Sequence, residues 1–131
     1  MAVYTIKRGL DIPISGGSTG DLVHLDPPKT VAYDPREFAG IVPRLAVKPG
    51  EKVKRGSTLF YSKSNPDMRF LSPVSGTVKE VLRGQRRVIT AVVVDVEGDE
   101  QETFPVWSAQ DIQGKSRDEV ASALLAGGLW A

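Results

Sequence analysis

A six-residue repeat of closely spaced turns in residues 47–60 limits the folds that are open to this sequence. The string Val-Lys-x-Gly occurs there twice. Pro49 fixes φ near about −65° and Gly50 accepts positive φ, so this pair predicts a type II turn, and Gly56 predicts a second turn. Val53 lies between polar neighbours and is expected to point inward. Turns at this spacing leave room only for short strands, so the repeat favours a mainly β fold.

The residues after this repeat predict a long hairpin. Residues 72–81 contain a turn and then an alternating strand, and a break in the alternation predicts a bulge or strand end near Val81. Residues 83–87 are expected to close the hairpin. Residues 88–96 form the longest apolar strand, which is expected to be covered on both faces. Three further strands are predicted at residues 3–7, 22–25 and 30–33.

The pattern changes after Pro105. Ser116 and Glu119 have the spacing of a capping box, and apolar residues at helical spacing follow until two glycines at 127–128. A short C-terminal helix is therefore predicted. We divide the chain into a β domain over residues 1–105 and a linker and helix over residues 106–131, which are expected to lead into a further domain of a longer protein.

Composition excludes several classes of site. The chain has no Cys and one His, which excludes disulfides, thiolate zinc sites, Cys-ligated iron–sulfur clusters and thiol nucleophiles. A formal net charge of +1 provides no basic excess for binding nucleic acid. No run reaches the roughly 18 apolar residues of a spanning helix, so no direct membrane span is expected. Any contact with a membrane is therefore expected to be made through protein partners.

Several motifs resemble functional sites, but each has a simpler structural interpretation. The glycine-rich loop at residues 16–20 lacks the Lys of a phosphate-binding loop. His24 has no acidic or nucleophilic neighbour in the sequence, and the acidic run at residues 95–102 does not fit a calcium loop. We therefore predict no catalytic residue, no cofactor-binding residue and no metal ligand.

The best candidate for an interaction is the predicted hairpin turn, where Arg83, Arg86 and Arg87 surround Gly84. Guanidinium groups bind carboxylates with two parallel hydrogen bonds, so three of them on a rigid turn could hold an acidic surface of a neighbouring protein. The alternative is a hairpin that is simply solvated.

Residues 47–60 are similar to the V-x-x-G-x-x-V-x-x-G-x-x-L signature of biotinyl/lipoyl-like domains, and residues 73–78 resemble their second signature. This resemblance implies a barrel-sandwich hybrid. Carrier domains of that fold present a modifiable Lys on a hairpin tip. Here Arg69 occupies the nearest position and Lys63 lacks the usual flanking residues, so a covalent cofactor is not expected.

A closer resemblance covers the whole chain. Residues 6–16 look like the opening of the A-type subunits of sodium-translocating NADH:quinone oxidoreductases, and residues 124–130 resemble that family's junction into its next domain. The strings between them follow the family's order: residues 38–40, Pro43, residues 47–60, 63–66, 72–78 and 83–88.

This resemblance implies a peripheral subunit on the cytoplasmic face of a bacterial inner membrane. The complex is implied to pass electrons from NADH through flavins and an iron–sulfur centre to ubiquinone and to export sodium, with these groups on other subunits. The A-type subunit is implied to be a structural, partner-binding part of this reductase, with quinone contact as a candidate role. The alternatives are a lipoyl- or biotinyl-type carrier domain and a domain of the C-type subunit of Rnf-type electron transport or of an efflux adaptor.

Overall fold

The computed structural model describes Gly9, residues 15–17 and residues 20–129. These residues form seven strands and two α-helices. The strands are β1 (Thr30–Tyr33), β2 (Pro43–Leu45), β3 (Lys52–Val53), β4 (Thr58–Ser62), β5 (Arg69–Leu71), β6 (Gly76–Arg83) and β7 (Ile89–Val96). The helices are α1 (Ala109–Gln113) and α2 (Arg117–Ala126), and short 3-10 turns occupy Pro35–Glu37 and Gln85–Arg87.

The strands form two antiparallel sheets. The larger sheet has the order β1-β7-β6-β3 and the smaller one has the order β2-β4-β5. One apolar core joins them and draws on both sheets: Val47, Val53, Leu59, Phe60, Phe70, Val78, Ile89, Val92 and Val94. The prediction of a mainly β barrel-sandwich fold with a short C-terminal helix is therefore confirmed.

Aromatic side chains link the two sheets at the centre of this core. Phe60 on β4 stacks on Phe70 of β5, with ring centroids 4.7 Å apart and planes at 13°. Tyr33 of the larger sheet approaches Phe60 with centroids 5.3 Å apart. Such pairs add specific stabilisation to the burial of their large apolar area. The ring cluster therefore fixes how one sheet lies on the other.

The six-residue repeat forms two successive β-turns. In the first, the Glu51 amide donates to the Lys48 carbonyl at 3.1 Å and Gly50 has φ = 85°. In the second, the Ser57 amide donates to the Lys54 carbonyl at 3.0 Å. The glycine at position 56 has φ = 94°, so both turns use positive φ where the sequence predicted it. Val53, between the turns, is buried as expected.

The predicted irregularity in β6 is confirmed. Its register with β7 shifts between Val78 and Glu80, and again between Leu82 and Arg83, on either side of Val81. The first shift inserts one extra residue, so Glu80 stays exposed and Val81 turns toward the core. Without the extra residue, strict alternation from Val78 would have turned the Glu80 side chain toward the core.

Of the predicted strands, one is wrong and one lies outside the described residues. Residues 22–25 form no strand: they are irregular, and Leu22, Val23 and Leu25 are 91%, 78% and 85% exposed. Their alternating apolar residues have no neighbouring strand to pair with, and a Pro-Pro break follows at 27–28. The strand predicted at residues 3–7 lies outside the described residues.

The prediction that both faces of β7 are covered overstates the burial of this strand, because Thr90 and Val93 are only half-buried.

The predicted capping box starts α2. The Glu119 amide donates to the Ser116 hydroxyl at 3.3 Å, and the Glu119 carboxylate accepts from the Ser116 amide at 2.9 Å. The helix ends in a Schellman motif, in which the Leu129 amide donates to Leu124 and the Gly128 amide donates to Leu125. Gly128 has φ = 65°, which explains the need for glycine there.

Sequence reasoning missed α1, which has its own capping box between Ser108 and Asp111. The sequence also did not show what the C-terminal helix packs on. The structure brings the end of α2 against β5, where Gly128 lies so close to Leu71 that an added Cβ would be 2.8 Å from the leucine Cγ. The helix therefore has a packing partner within the described residues.

Candidate functional site

The candidate site begins at the β6–β7 hairpin, which is closed tightly by backbone hydrogen bonds. The Gly84 amide donates to the Val88 carbonyl at 2.8 Å, and the Val88 amide donates to the Gln85 carbonyl at 3.2 Å. Arg86 and Arg87 both have positive φ, at 54° and 62°. The turn therefore has one defined shape, as a rigid docking element requires.

Positive φ at two consecutive arginines is unusual, because the Cβ atom crowds the backbone there and costs about 1–2 kcal/mol per residue. Glycine or asparagine is the ordinary choice for such positions. The hairpin therefore keeps Arg86 and Arg87 at a conformational cost, and this pattern is typical of positions whose side chains have a function.

The structure brings the three predicted arginines together. Arg83, Arg86 and Arg87 are exposed and line the same groove. Arg83 donates from Nη1 to the Arg87 carbonyl at 3.2 Å, which orders its side chain along the turn. Within the part of the chain that the structure describes, none of the three forms an ion pair with a carboxylate. Their charges are therefore available to an external acidic group.

The groove has a volume of about 530 Å³ and lies between the hairpin and the smaller sheet. One wall is the hairpin, and the other is the β2–β4 pair, from which Arg44 and Tyr61 reach the groove. Apolar residues complete the lining: Val42, Pro43, Leu45, Val88 and Ile89. Val42 and Val88 are 59% and 48% exposed, so the groove combines guanidinium groups with accessible apolar surface.

Sequence reasoning missed Arg44 and Tyr61 as site residues. The alternation of Pro43, Arg44 and Leu45 is a weak signal that the arginine points away from the core. The pairing of β2 with β4, and the approach of both to the hairpin, depend on tertiary packing, so no local pattern could have shown them.

The other sequence motifs do not form sites. His24 lies in the exposed irregular segment. In the acidic run, Asp95 pairs with Lys79 at 3.6 Å and the Glu97 carboxylate accepts from Thr77 at 3.4 Å. Among the described residues, no three His, Asp or Glu side chains are arranged to hold a metal ion. The glycine-rich loop is described only in part, at residues 15–17 and 20.

Lys63 and Arg69 flank the β4–β5 hairpin, where a carrier domain would present its modified lysine. Lys63 is exposed at the base of the loop, with its amide donating to the Val42 carbonyl at 2.9 Å, and Arg69 is the first residue of β5. The loop tip is a turn centred on Pro66 and Asp67, in which the Met68 amide donates to the Asn65 carbonyl at 3.0 Å. The lysine is therefore not at the tip of the hairpin.

The carboxylates with displaced pKa values lie at turns and helix ends, and the one tyrosine, Tyr33, lies on β1. Hydrogen bonds from Arg36 lower the pKa of Asp34, and burial, followed by the nearby Glu37 charge, raises the pKa of Tyr33. Hydrogen bonds from their capping serines lower the pKa values of Asp111 and Glu119. None of these groups lines the arginine groove, which contains guanidinium groups and one phenol.

Neither helix among the described residues has the length or the hydropathy of a membrane-spanning segment.

Residues 4–97 match the NqrA N-terminal barrel-sandwich hybrid domain family. The chain belongs to this family. The match covers all seven strands and the arginine hairpin. The fold and the family predicted from the turn repeat and the ordered strings are therefore confirmed, and the carrier and Rnf-type alternatives are not favoured.

Curated relatives agree with this assignment. The chain is 41% identical over 128 residues to the A subunit of the Na(+)-translocating NADH-quinone reductase of Marinomonas sp. (strain MWYL1), and equally to that of Vibrio vulnificus (strain YJ016). It is 39% identical to the corresponding protein of Haemophilus influenzae (strain PittEE). Each match covers 98% of this chain, which spans about 29% of the length of these relatives.

Proposed function

We propose that this domain is a docking module of a Na(+)-translocating NADH-quinone reductase. In this proposal it holds its own polypeptide in the complex, while NADH, flavins, the iron–sulfur centre, ubiquinone and sodium are bound by other subunits. The domain contributes no catalytic residue. We further propose that the complete assembly lies at the cytoplasmic face of a bacterial inner membrane, with this domain attached through proteins.

The observation that carries the proposal is the arginine hairpin and its lack of carboxylate partners among the described residues. Arg83, Arg86 and Arg87 project from a turn whose backbone is closed by hydrogen bonds, and no described carboxylate neutralises them. Guanidinium–carboxylate pairs across an interface give geometric specificity and speed association between complementary surfaces. An acidic surface of another subunit is the partner that this charge pattern fits.

The chemistry of the groove supports docking more than catalysis. Guanidinium groups remain protonated at neutral pH and cannot act as general bases, and the Tyr61 phenol is the other ionisable group of the lining. The apolar part, formed by residues such as Val42 and Val88, is suited to covering by an apolar surface. A contact with quinone would have to use this apolar part, and we keep it as a secondary candidate role.

The proposed division of the chain follows from the same reasoning. Residues 1–105 form the docking domain, and residues 106–131 connect it to the remainder of a polypeptide of the relatives' length. The capping boxes at Ser108 and Ser116 give this connection a defined helical structure.

Affinity purification tests the proposal. The protein is tagged and expressed in its native host cells, and the membranes are dissolved in mild detergent. The co-purifying proteins are then identified by mass spectrometry. The other reductase subunits should co-elute together with NADH-quinone reductase activity. Their absence from the eluate, with the tagged protein intact and folded, would contradict the proposal.

A charge-reversal variant tests the residues. Replacing Arg83, Arg86 and Arg87 with Glu should lower the co-purified subunits at least about tenfold, because each charge-assisted hydrogen bond contributes about 1.5–3 kcal/mol. Arg117→Glu is the matched control, since Arg117 is exposed at the start of α2, where acidic residues are favourable. Equal recovery of the triple variant and the control would refute the role of the hairpin.

A further inference from the structure

The basic surface of the arginine hairpin continues onto the outer face of the smaller sheet. Arg44 on β2 is paired with Tyr61 on β4, and Tyr61 is paired with Arg69 on β5. Paired residues of antiparallel strands project to the same face, so these three form one row across the sheet. The neighbouring row contains Phe60 and Phe70, which are 0% and 3% exposed and face the core.

The row places one aromatic side chain between two guanidinium groups. Neighbouring strands are about 4.8 Å apart, so the backbones at Arg44 and Arg69 are separated by roughly 10 Å with Tyr61 between them. Arg44 and Arg69 are exposed and Tyr61 is half-buried. Tyrosine and arginine are among the residue types that most often dominate the binding energy of protein interfaces.

Tyr61 also joins two adjacent grooves. It lines the first groove with Arg44 and the three hairpin arginines. It lines the second, of about 360 Å³, with Thr58, Pro66 and Arg69. The two grooves therefore form one continuous surface, which we call the Tyr61 surface: Arg44, Tyr61, Arg69, Arg83, Arg86 and Arg87.

The Tyr61 surface has five positive charges and no ion pair among the described residues. Asp67 lies near Arg69 at the edge of a small cleft toward α2, but their charged groups are not within ion-pair distance. Like charges at this density repel one another, so an anionic partner gains the attraction of all five groups. The partner must therefore supply several negative charges.

The shape of the surface selects among anionic partners. The charges lie on the walls of grooves, and accessible apolar groups at Val42 and Val88 lie beside them. Lipid headgroups would supply negative charge but would leave this exposed apolar surface without an apolar contact. An extended protein segment can place carboxylates on the guanidinium groups and an apolar side chain between them.

We propose that the Tyr61 surface binds an extended acidic segment of another reductase subunit, with an apolar side chain of that segment packed against Tyr61. This inference rests on the proposed function, because it names the kind of segment that the docking module holds. Carboxylates of the segment pair with Arg44 and Arg69 on either side of the ring, and further carboxylates pair with the hairpin arginines.

Photo-cross-linking in the assembled reductase tests this surface. Tyr61 is replaced by p-benzoylphenylalanine in the full-length protein, which is expressed in its native host cells. The purified complex is irradiated, and the cross-linked peptide is sequenced by mass spectrometry. We expect a peptide from another subunit that contains at least two Asp or Glu residues and an apolar residue within about five positions. Cross-links only to lipid, only to this same chain, or to a peptide without carboxylates would overturn the proposal.

Charge variants provide the second measurement. Arg44→Glu with Arg69→Glu should reduce the yield of that cross-link at least about tenfold, whereas Arg117→Glu should leave it unchanged. An unchanged yield in the double variant would also overturn the proposal. Failure of the proposed function is distinguishable, because the reductase subunits would then be missing from the purified material before irradiation.

Discussion

Gly76 at the start of β6 lies directly against the Asp95 carbonyl on β7, so that an added Cβ would overlap the carbonyl oxygen. Gly76 also has φ = 152°, which L side chains rarely adopt. The hairpin that presents the arginines therefore begins at a position that only glycine fits.

Replacing Gly76 with Ala should destabilise the domain. Gly98→Ala is the matched control, because Gly98 also has positive φ, at 67°, but a Cβ added there would meet nothing within 4 Å. Gly98→Ala should cost about 1–2 kcal/mol of unfolding free energy from φ strain alone. Gly76→Ala should cost about 2 kcal/mol more, since overpacking adds to the strain. Denaturant unfolding measures both, and equal losses would contradict the close approach of β6 and β7.

The stacked ring pair supports a prediction about the core. Phe60→Ala should lower the free energy of unfolding by about 3–5 kcal/mol, because it removes a fully buried ring that contacts both sheets. Leu22→Ala, at a residue that is 91% exposed, should change it by less than about 0.5 kcal/mol. Urea titrations of the two variants make the comparison. Similar losses would show that the described core is wrong.

Packing of the C-terminal helix on β5 can be measured by amide hydrogen exchange. The amides of α2 should exchange slowly, and Leu71→Asp should accelerate them at least about tenfold by placing a charge where Gly128 approaches the leucine. Leu22→Asp adds the same charge at an exposed residue and should leave the exchange of α2 unchanged. Fast exchange of α2 in the unsubstituted chain would mean that the helix docks elsewhere.

The two capping boxes predict a pH dependence of the helices. Hydrogen bonds from Ser108 lower the pKa of Asp111, and hydrogen bonds from Ser116, with a smaller contribution from Lys115, lower the pKa of Glu119. Because the pKa of each carboxyl is lower in the folded chain than in the unfolded chain, the ionised carboxylate stabilises the helix at pH values above about 4, the pKa in the unfolded chain. That stabilisation is lost as the pH falls through the pKa in the folded chain.

Helix content should therefore remain constant from about pH 7 to 5 and decrease below about pH 4. Far-UV circular dichroism and exchange of the α2 amides follow the change. Glu119→Gln keeps an acceptor for the Ser116 amide but does not titrate, so it should remove the acid-dependent loss of α2 and leave that of α1. An increase in helix content on acidification would contradict the capping geometry.

Local chemistry made much of this fold predictable. The turns at Gly50 and Gly56 follow from the steric freedom of glycine, and the start of α2 follows from the reciprocal hydrogen bonds of Ser116 and Glu119. Each of these depends on residues only a few positions apart. The sequence signal is therefore sufficient where the structure is decided locally.

Tertiary packing decided what the sequence did not reveal. Leu22 and Val23 lie in a segment with the alternation of a strand, but a strand needs a neighbour, and the described chain provides none. Tyr61 and Arg69 lie on the same face because the register of β4 with β5 pairs them, and a slip of either strand by one residue would turn its own member of the pair toward the core. A register of this kind cannot be read from a short window of sequence.

The docking role of the hairpin arginines can be separated from their effect on stability by one double variant. Arg86→Gly with Arg87→Gly removes two charges and relieves the strain of positive φ, so the melting temperature should stay equal or rise. Retention of the other reductase subunits on the tagged variant should nevertheless fall at least about tenfold. Full retention of those subunits, whatever the melting temperature, would contradict a docking role for this hairpin.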